Sequence, residues 1–216
     1  MDALKHIRLM AQYNQWMNAR LYDAAARLSH EQLALNRGAF FGSLLGTLNH
    51  LVVTDIIWLK RLATHPTGHP SLEPVRRMER PASLDHTLHH ELPALSARRN
   101  SLDAIISAWT AELSAADLDH VLEYRNMSGI PRHKLFGSLV LHLFNHQTHH
   151  RGLAHACLSI LTGGEPPPLD LLAFQRGGAA PNLEKLFASK SAEDGRANSS
   201  KEVSGVHRGA ATRASR

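Results

Sequence analysis

The sequence predicts a mostly α-helical protein: a four-helix bundle with one small β-hairpin just before its last long helix. Four long stretches repeat their apolar residues at helical period. One short segment alternates and is partly β-branched. Clusters of Pro and Gly separate these pieces. At 216 residues, 43% hydrophobic and 20% charged, the chain can bury one substantial core and is short for two.

The first stretch covers residues 4–28, where Leu4, Ile7, Leu9, Tyr13, Trp16, Leu21, Tyr22 and Ala25 recur without an internal Pro or Gly. Ser29 and Asn36-Arg37-Gly38 interrupt it. A second helix is expected from Ser43, its N-cap, to about Ala63. His65-Pro66-Thr67-Gly68-His69-Pro70 breaks that helix, and Pro74 and Pro81 predict irregular structure over 71–90. A third helix starts near His90, with Pro93 tolerated in its first turn, and continues through Leu102 and Trp109 to Leu113. Val121–Asn126 and Ile130–His133, joined by Met127-Ser128-Gly129, read as the hairpin, with Pro131 marking an edge strand. The fourth helix spans Lys134 to Leu161 and stops at Thr162-Gly163-Gly164. After Pro166-Pro167-Pro168, residues 169–174 are expected to fold back on the bundle. Residues 1–176 thus form the bundle, and 177–216, rich in Gly, Ala, Ser and mixed charge, form a disordered basic tail.

The net charge of +5 is unevenly placed. From Pro181 to Arg216 there are seven Lys/Arg against four Asp/Glu, so the body is close to neutral, which argues against a nucleic-acid-binding face. No apolar run is long enough to span a bilayer, and the N-terminus lacks the pattern of a secretory signal. The single cysteine, Cys157, excludes an internal disulfide and fits a reducing cytoplasm. It falls in an apolar helix and is expected to be a buried, inert thiol.

Sixteen histidines are the unusual part of the composition. His65, His69, His86, His89 and His90 lie in or beside polar, Pro-containing stretches and are expected at the surface. Leu143-Phe144-Asn145-His146-Gln147-Thr148-His149-His150-Arg151-Gly152 is different. His146 and His150, four apart on a helix, place two imidazoles on one face one turn apart, the geometry for a shared metal ion. His50, in Leu48-Asn49-His50-Leu51, carries a similar local signature on the second helix. Spacing alone leaves alternatives, because His142, His146 and His150 form one row and His149 lies three after His146. Asp55, five residues after His50, could orient a water or ligand, although an ion pair with a basic neighbour is the commoner use. Arg151 could hold an anionic substrate or form a salt bridge. Tyr13, Trp16 and Trp58 could line a pocket or pack in the core.

Three stretches together resemble the DinB family of damage-inducible, YfiT-like four-helix metalloproteins: Tyr13–Leu21, Leu48–Trp58, and Leu143–Gly152 trailed by Leu169-Asp170. The resemblance implies that His50, His146 and His150 are the metal ligands, leaving His142 and His149 beside the site or at the surface. It implies one divalent metal per chain, nickel or zinc, and a homodimer, for which the first and third helices offer a contact. It implies no DNA binding. Related families using this bundle include low-molecular-weight-thiol-dependent transferases and hydrolases. The expected function is a metal-dependent enzyme of one of these kinds, acting on a small molecule. The alternatives are a non-catalytic, stress-induced metal- or ligand-binding bundle, and a structural bundle whose histidines bind metal fortuitously.

Overall fold

Local sequence fixes where the elements begin and end. Helix α1 (Ala3–Ala25) starts at Asp2, whose carboxylate accepts from the Lys5 amide. A capping box between Ser29 and Gln32 starts the short α2 (His30–Ala34). Ser43 caps α3 (Leu44–Leu62) by accepting from the Gly46 amide, as expected. A 3-10 turn (Pro70–Leu72) runs into α4 (Glu73–Arg77). Pro74 therefore helps to start a helix where irregular structure was expected, because its missing N–H costs nothing in a first turn. Then come α5 (Leu92–Glu112), α6 (Ala115–Leu118), the hairpin β1 (Val121–Arg125) and β2 (Pro131–Leu135), and α7 (Phe136–Thr162). Gly163, at φ 64°, ends α7 in the left-handed conformation that glycine adopts most readily. Helix α8 (Leu171–Gly177) is the last element of the described residues. This computed structural model describes residues 2–177. The expected tail, Gly177 apart, lies outside the described residues.

The long helices form a bundle in which α1 and α3 each pack against both α5 and α7. Contacts give their directions. Asp55 meets Arg99 and Asn49 meets His89, so α3 and α5 run parallel. Gln147 meets Leu51 while His150 meets His50, so α3 and α7 run antiparallel. Parallel neighbours require a connection that returns the chain along the whole length of α3, about 28 Å at 1.5 Å per residue. Residues 63–91 make that crossover.

Helix α3 is buried almost all round, as suits the core-most helix of a bundle. Leu48, Leu51, Leu59, Leu95, Leu102, Trp109 and Phe136 are fully buried around it. Residues 169–174 do fold back: Phe174 buries against Tyr13 and Met17, and the Tyr13 hydroxyl donates to Leu169 O at 2.5 Å. Cys157 is buried, and burial pushes its thiol up. Among the described residues, no helix is long and apolar enough to cross a membrane.

His65 and His69 correct the sequence reading. Expected at the surface, they are 6% and 1% exposed. The start of the crossover tucks both rings against Phe136, at centroid distances of 4.5 and 6.1 Å. Local polarity did not reveal this, because it is the return path of the chain that buries them.

Two glycines should respond in opposite ways. A Cβ on Gly46 would strike the Phe41 carbonyl oxygen, whereas one on Gly152 would meet nothing within 4 Å. Gly46→Ala is expected to lower stability by about 1–3 kcal/mol through overpacking. Gly152→Ala, in an open helical position, should raise it by about 0.5–1 kcal/mol. Urea denaturation of both variants checks the pair.

Candidate metal centre

Because α3 and α7 are antiparallel, His50 near the start of α3 faces His146 and His150 in the middle of α7. The ring centroids stand 5.4 Å apart for His50–His146 and 4.4 Å apart for both His50–His150 and His146–His150. One ligating atom from each histidine lies within 4.8 Å of the other two. Donors sharing a tetrahedral ion at about 2.0–2.1 Å stand about 3.4 Å apart, so small side-chain rotations would close the set.

The backbone orients His50. Its Nδ1 lies 2.8 Å from Leu84 O. A carbonyl oxygen can only accept, so Nδ1 carries the proton and Nε2 keeps its lone pair. That Nε2 is buried without a hydrogen-bond partner, as is Nδ1 of His150. A carbonyl holding one ring nitrogen while the other is left for an ion is the usual support of a metal-ligating histidine.

Asn49 secures the segment that supplies Leu84. Its side chain donates to His89 O at 3.0 Å and accepts from the His89 amide at 3.1 Å, pinning the end of the crossover to α3. The Asn-His pair at 49–50 thus has a local logic: one residue holds the loop and the loop aims the other. Asn145, before His146, is exposed and has no such task.

All three imidazoles favour the neutral form. Burial, then the nearby His150 and His50, bring His146 down to about 3. Burial, then His50 and His149, bring His150 to about 4. Burial also lowers His50. Neutral imidazoles offer the lone pairs that an ion requires. Phe41 stacks on His50 at 3.8 Å between centroids, 19° from parallel, and walls one side of the cluster. His146 and His150 are half-buried and form the open side.

The neighbouring histidines fall outside this convergence. His142 is exposed and packs edge-on against Trp58 at 4.8 Å. His149 is exposed beside His150 at 4.7 Å. Trp58 also packs on Tyr124, and Arg61 lies over its ring. Tyr13 lines a cavity of about 340 Å³ between α1, α7 and α8, away from the triad, while Trp16 packs against Phe174.

The structure gives Asp55 and Arg151 work inside the bundle, of the ion-pair and hydrogen-bond kind weighed above against a water or substrate contact. Asp55 pairs with Arg99 at 2.7 Å and accepts from Gln147 Nε2. Arg99 also pairs with Asp103 at 3.0 Å. Asp103 accepts from Asn14 and Asn18, and both asparagines accept from Arg151. Arg151 also donates to Gln147 at 3.2 Å, which closes a ring through α1, α3, α5 and α7. Burial lowers Arg151 to about 10, which still leaves it charged near neutral pH. Only the residue types at 14, 18, 99, 103 and 147 hinted at this ring, as polar side chains on otherwise apolar helical faces.

A helical bundle with three converging neutral histidines on two of its helices defines a candidate metal-binding protein. The DinB family model matches residues 2–184, and the chain belongs to the DinB family. Comparison with curated proteins and with solved structures yields no match.

The ring makes a testable demand. Arg99→Met leaves Asp55 and Asp103 buried without their shared cation, and should cost about 3–5 kcal/mol. A urea midpoint unchanged from wild type would show that the ring contributes little to stability.

Proposed function

We propose that the chain is a metal-dependent enzyme acting on a small molecule, with His50, His146 and His150 holding one divalent ion, zinc or nickel. The observation that carries this reading is the convergence of three neutral imidazoles, one aimed by Leu84 O and two on an open side. Three protein nitrogens leave coordination positions for a reactant, as in catalytic sites. Bound there, the ion supplies Lewis acidity, which makes a water or thiol reactant more acidic and an electrophile more reactive. The reaction classes that follow are hydrolysis and transfer dependent on a low-molecular-weight thiol.

The remaining work falls to the chain. Leu84 O holds the His50 proton on Nδ1, and Phe41 excludes water from one side. Asp55 and Arg151 act by holding α3 and α7 in place. The setting is the cytoplasm, with neither nucleic acid nor membrane as partner. The assembly is a homodimer that uses α1 and α5, which lie side by side.

Metal content of the untagged protein is the first test. The wild type should carry ion at the triad, and His146→Ala combined with His150→Ala should remove it. With metal loaded, activated esters and thiol conjugation are then screened. His150→Ala should lower turnover by about 100-fold or more, since even residues supporting metal ligands are worth 10–100-fold. Tight binding with no turnover in either class would replace the enzyme with a non-catalytic metal-binding bundle. A single monomeric species in equilibrium sedimentation would remove the dimer.

A further inference from the structure

A second set of ligating side chains stands at the other end of the α3–α7 pair. His65 and His69 belong to the crossover just beyond α3, and Asp117 to α6. One ligating atom of each lies within 4.8 Å of the other two. The three residues are 6%, 1% and 6% exposed. Nε2 of both histidines is buried without a hydrogen-bond partner, although buried polar atoms are nearly always partnered. Phe136 and Trp109 pack on these rings. Filling that space alone would be served at lower cost by apolar side chains.

Asp117 is already oriented as a ligand would be. Its Oδ2 accepts from the Ser114 amide and hydroxyl, both at 2.8 Å, and its Oδ1 accepts from the Thr67 hydroxyl at 2.8 Å. Burial opposes its charge, but the Ser114 and Thr67 hydrogen bonds outweigh burial and hold the carboxyl below its usual range. A simple buried ion pair does not describe the cluster. His65 Nδ1 stands 3.9 Å from Asp117 Oδ1, and His69 Nδ1 stands 3.9 Å from Glu112 Oε2. Charge-assisted hydrogen bonds close to about 2.7–2.9 Å.

We propose that His65, His69 and Asp117 form a second, structural site for a divalent ion of the zinc class. Two imidazoles and a carboxylate make a donor set that zinc accepts. Calcium and magnesium prefer oxygen throughout. His120, with its ring centroid 4.6 Å from that of His65, is placed to supply a fourth ligand and close the site. Ligation through either ring nitrogen of neutral His65 gives up the hydrogen bond that its Nδ1 now accepts from the Thr67 amide at 3.2 Å. The ion ties the crossover to α6, beside the first residue of α7. This site is distinct from the triad, since the part of α3 from His50 to Leu62 spans about 18 Å at 1.5 Å per residue.

The test uses the full chain with His146→Ala and His150→Ala, which removes the triad. After zinc loading and gel filtration, plasma mass spectrometry should find about one zinc per chain. Adding His65→Gln and His69→Gln should remove it. Because these two positions lie in the core, cobalt(II) titration of the triad-ablated chain provides a reading that does not depend on them. It should give a visible d–d band that saturates at one equivalent. A triad-ablated chain that is folded by circular dichroism, yet holds no zinc and gives no cobalt band, overturns the second site. That result leaves the triad untouched, and failure of the triad to bind leaves the second site standing.

Discussion

The closed polar ring at the centre of the bundle is the constraint on which the rest of the structure depends. Asp55, Arg99, Asp103 and Arg151 are each at most 2% exposed. Their formal charges cancel. Withdrawing such groups from water costs several kcal/mol per ion, and that cost is offset only if every member finds its partner. Each long helix contributes at least one member, so sliding or turning a single helix leaves a charge unpaired for all of them. An apolar interface tolerates small slips with modest loss, whereas a closed ring of charges does not. On this argument the ring acts mainly on register, and the leucines around it supply most of the favourable burial.

The ring also explains how the triad is assembled. On α7, His146 and His150 alternate with Gln147 and Arg151. One pair turns toward the open side while the other reaches inward to Asp55, Asn14 and Asn18. Asp55 lies on α3 little more than one turn beyond His50. The contacts that fix α3 against α7 are therefore made at the level where the three imidazoles meet. The parallel arrangement of α3 and α5 adds the other half. It forces a crossover that begins beyond one end of α3 and returns to the other, bringing Leu84 O to His50 and seating His65 and His69 beside Phe136.

Much of this was legible in the sequence, and the illegible parts share a physical cause. Apolar periodicity placed the four long helices to within a few residues, and Ser43 and Gly163 marked two of their ends. The pairing of His146 with His150 could be read because both lie on one helix. Choosing between His142 and His150 could not be read from spacing. A step of four residues drifts by about 40° around a helix, so members of one row face different neighbours, and here Trp58 takes His142. The ring was hidden because its partners are far apart in sequence, 85 residues between Asn18 and Asp103 and 133 between Asn18 and Arg151. His65 and His69 were misread for a related reason. A stretch rich in Pro and Gly predicts a break in the helix, but does not say what the returning chain will bury.

The two histidine clusters differ in how far they are buried. The triad has one buried histidine and two half-buried ones, and an open side. The second cluster is buried in all three members and lies against Phe136, the first residue of α7. On the proposed readings, an ion at the first would act on a reactant, and an ion at the second would hold a connection. A holding site at the far end of the same helix pair would stiffen the return of the crossover without occupying space at the triad. On α7 the ring residues Gln147 and Arg151 stand at the level of the triad itself, while the second cluster lies against the first residue of the helix, and the half-buried edge of the triad stays open to solvent.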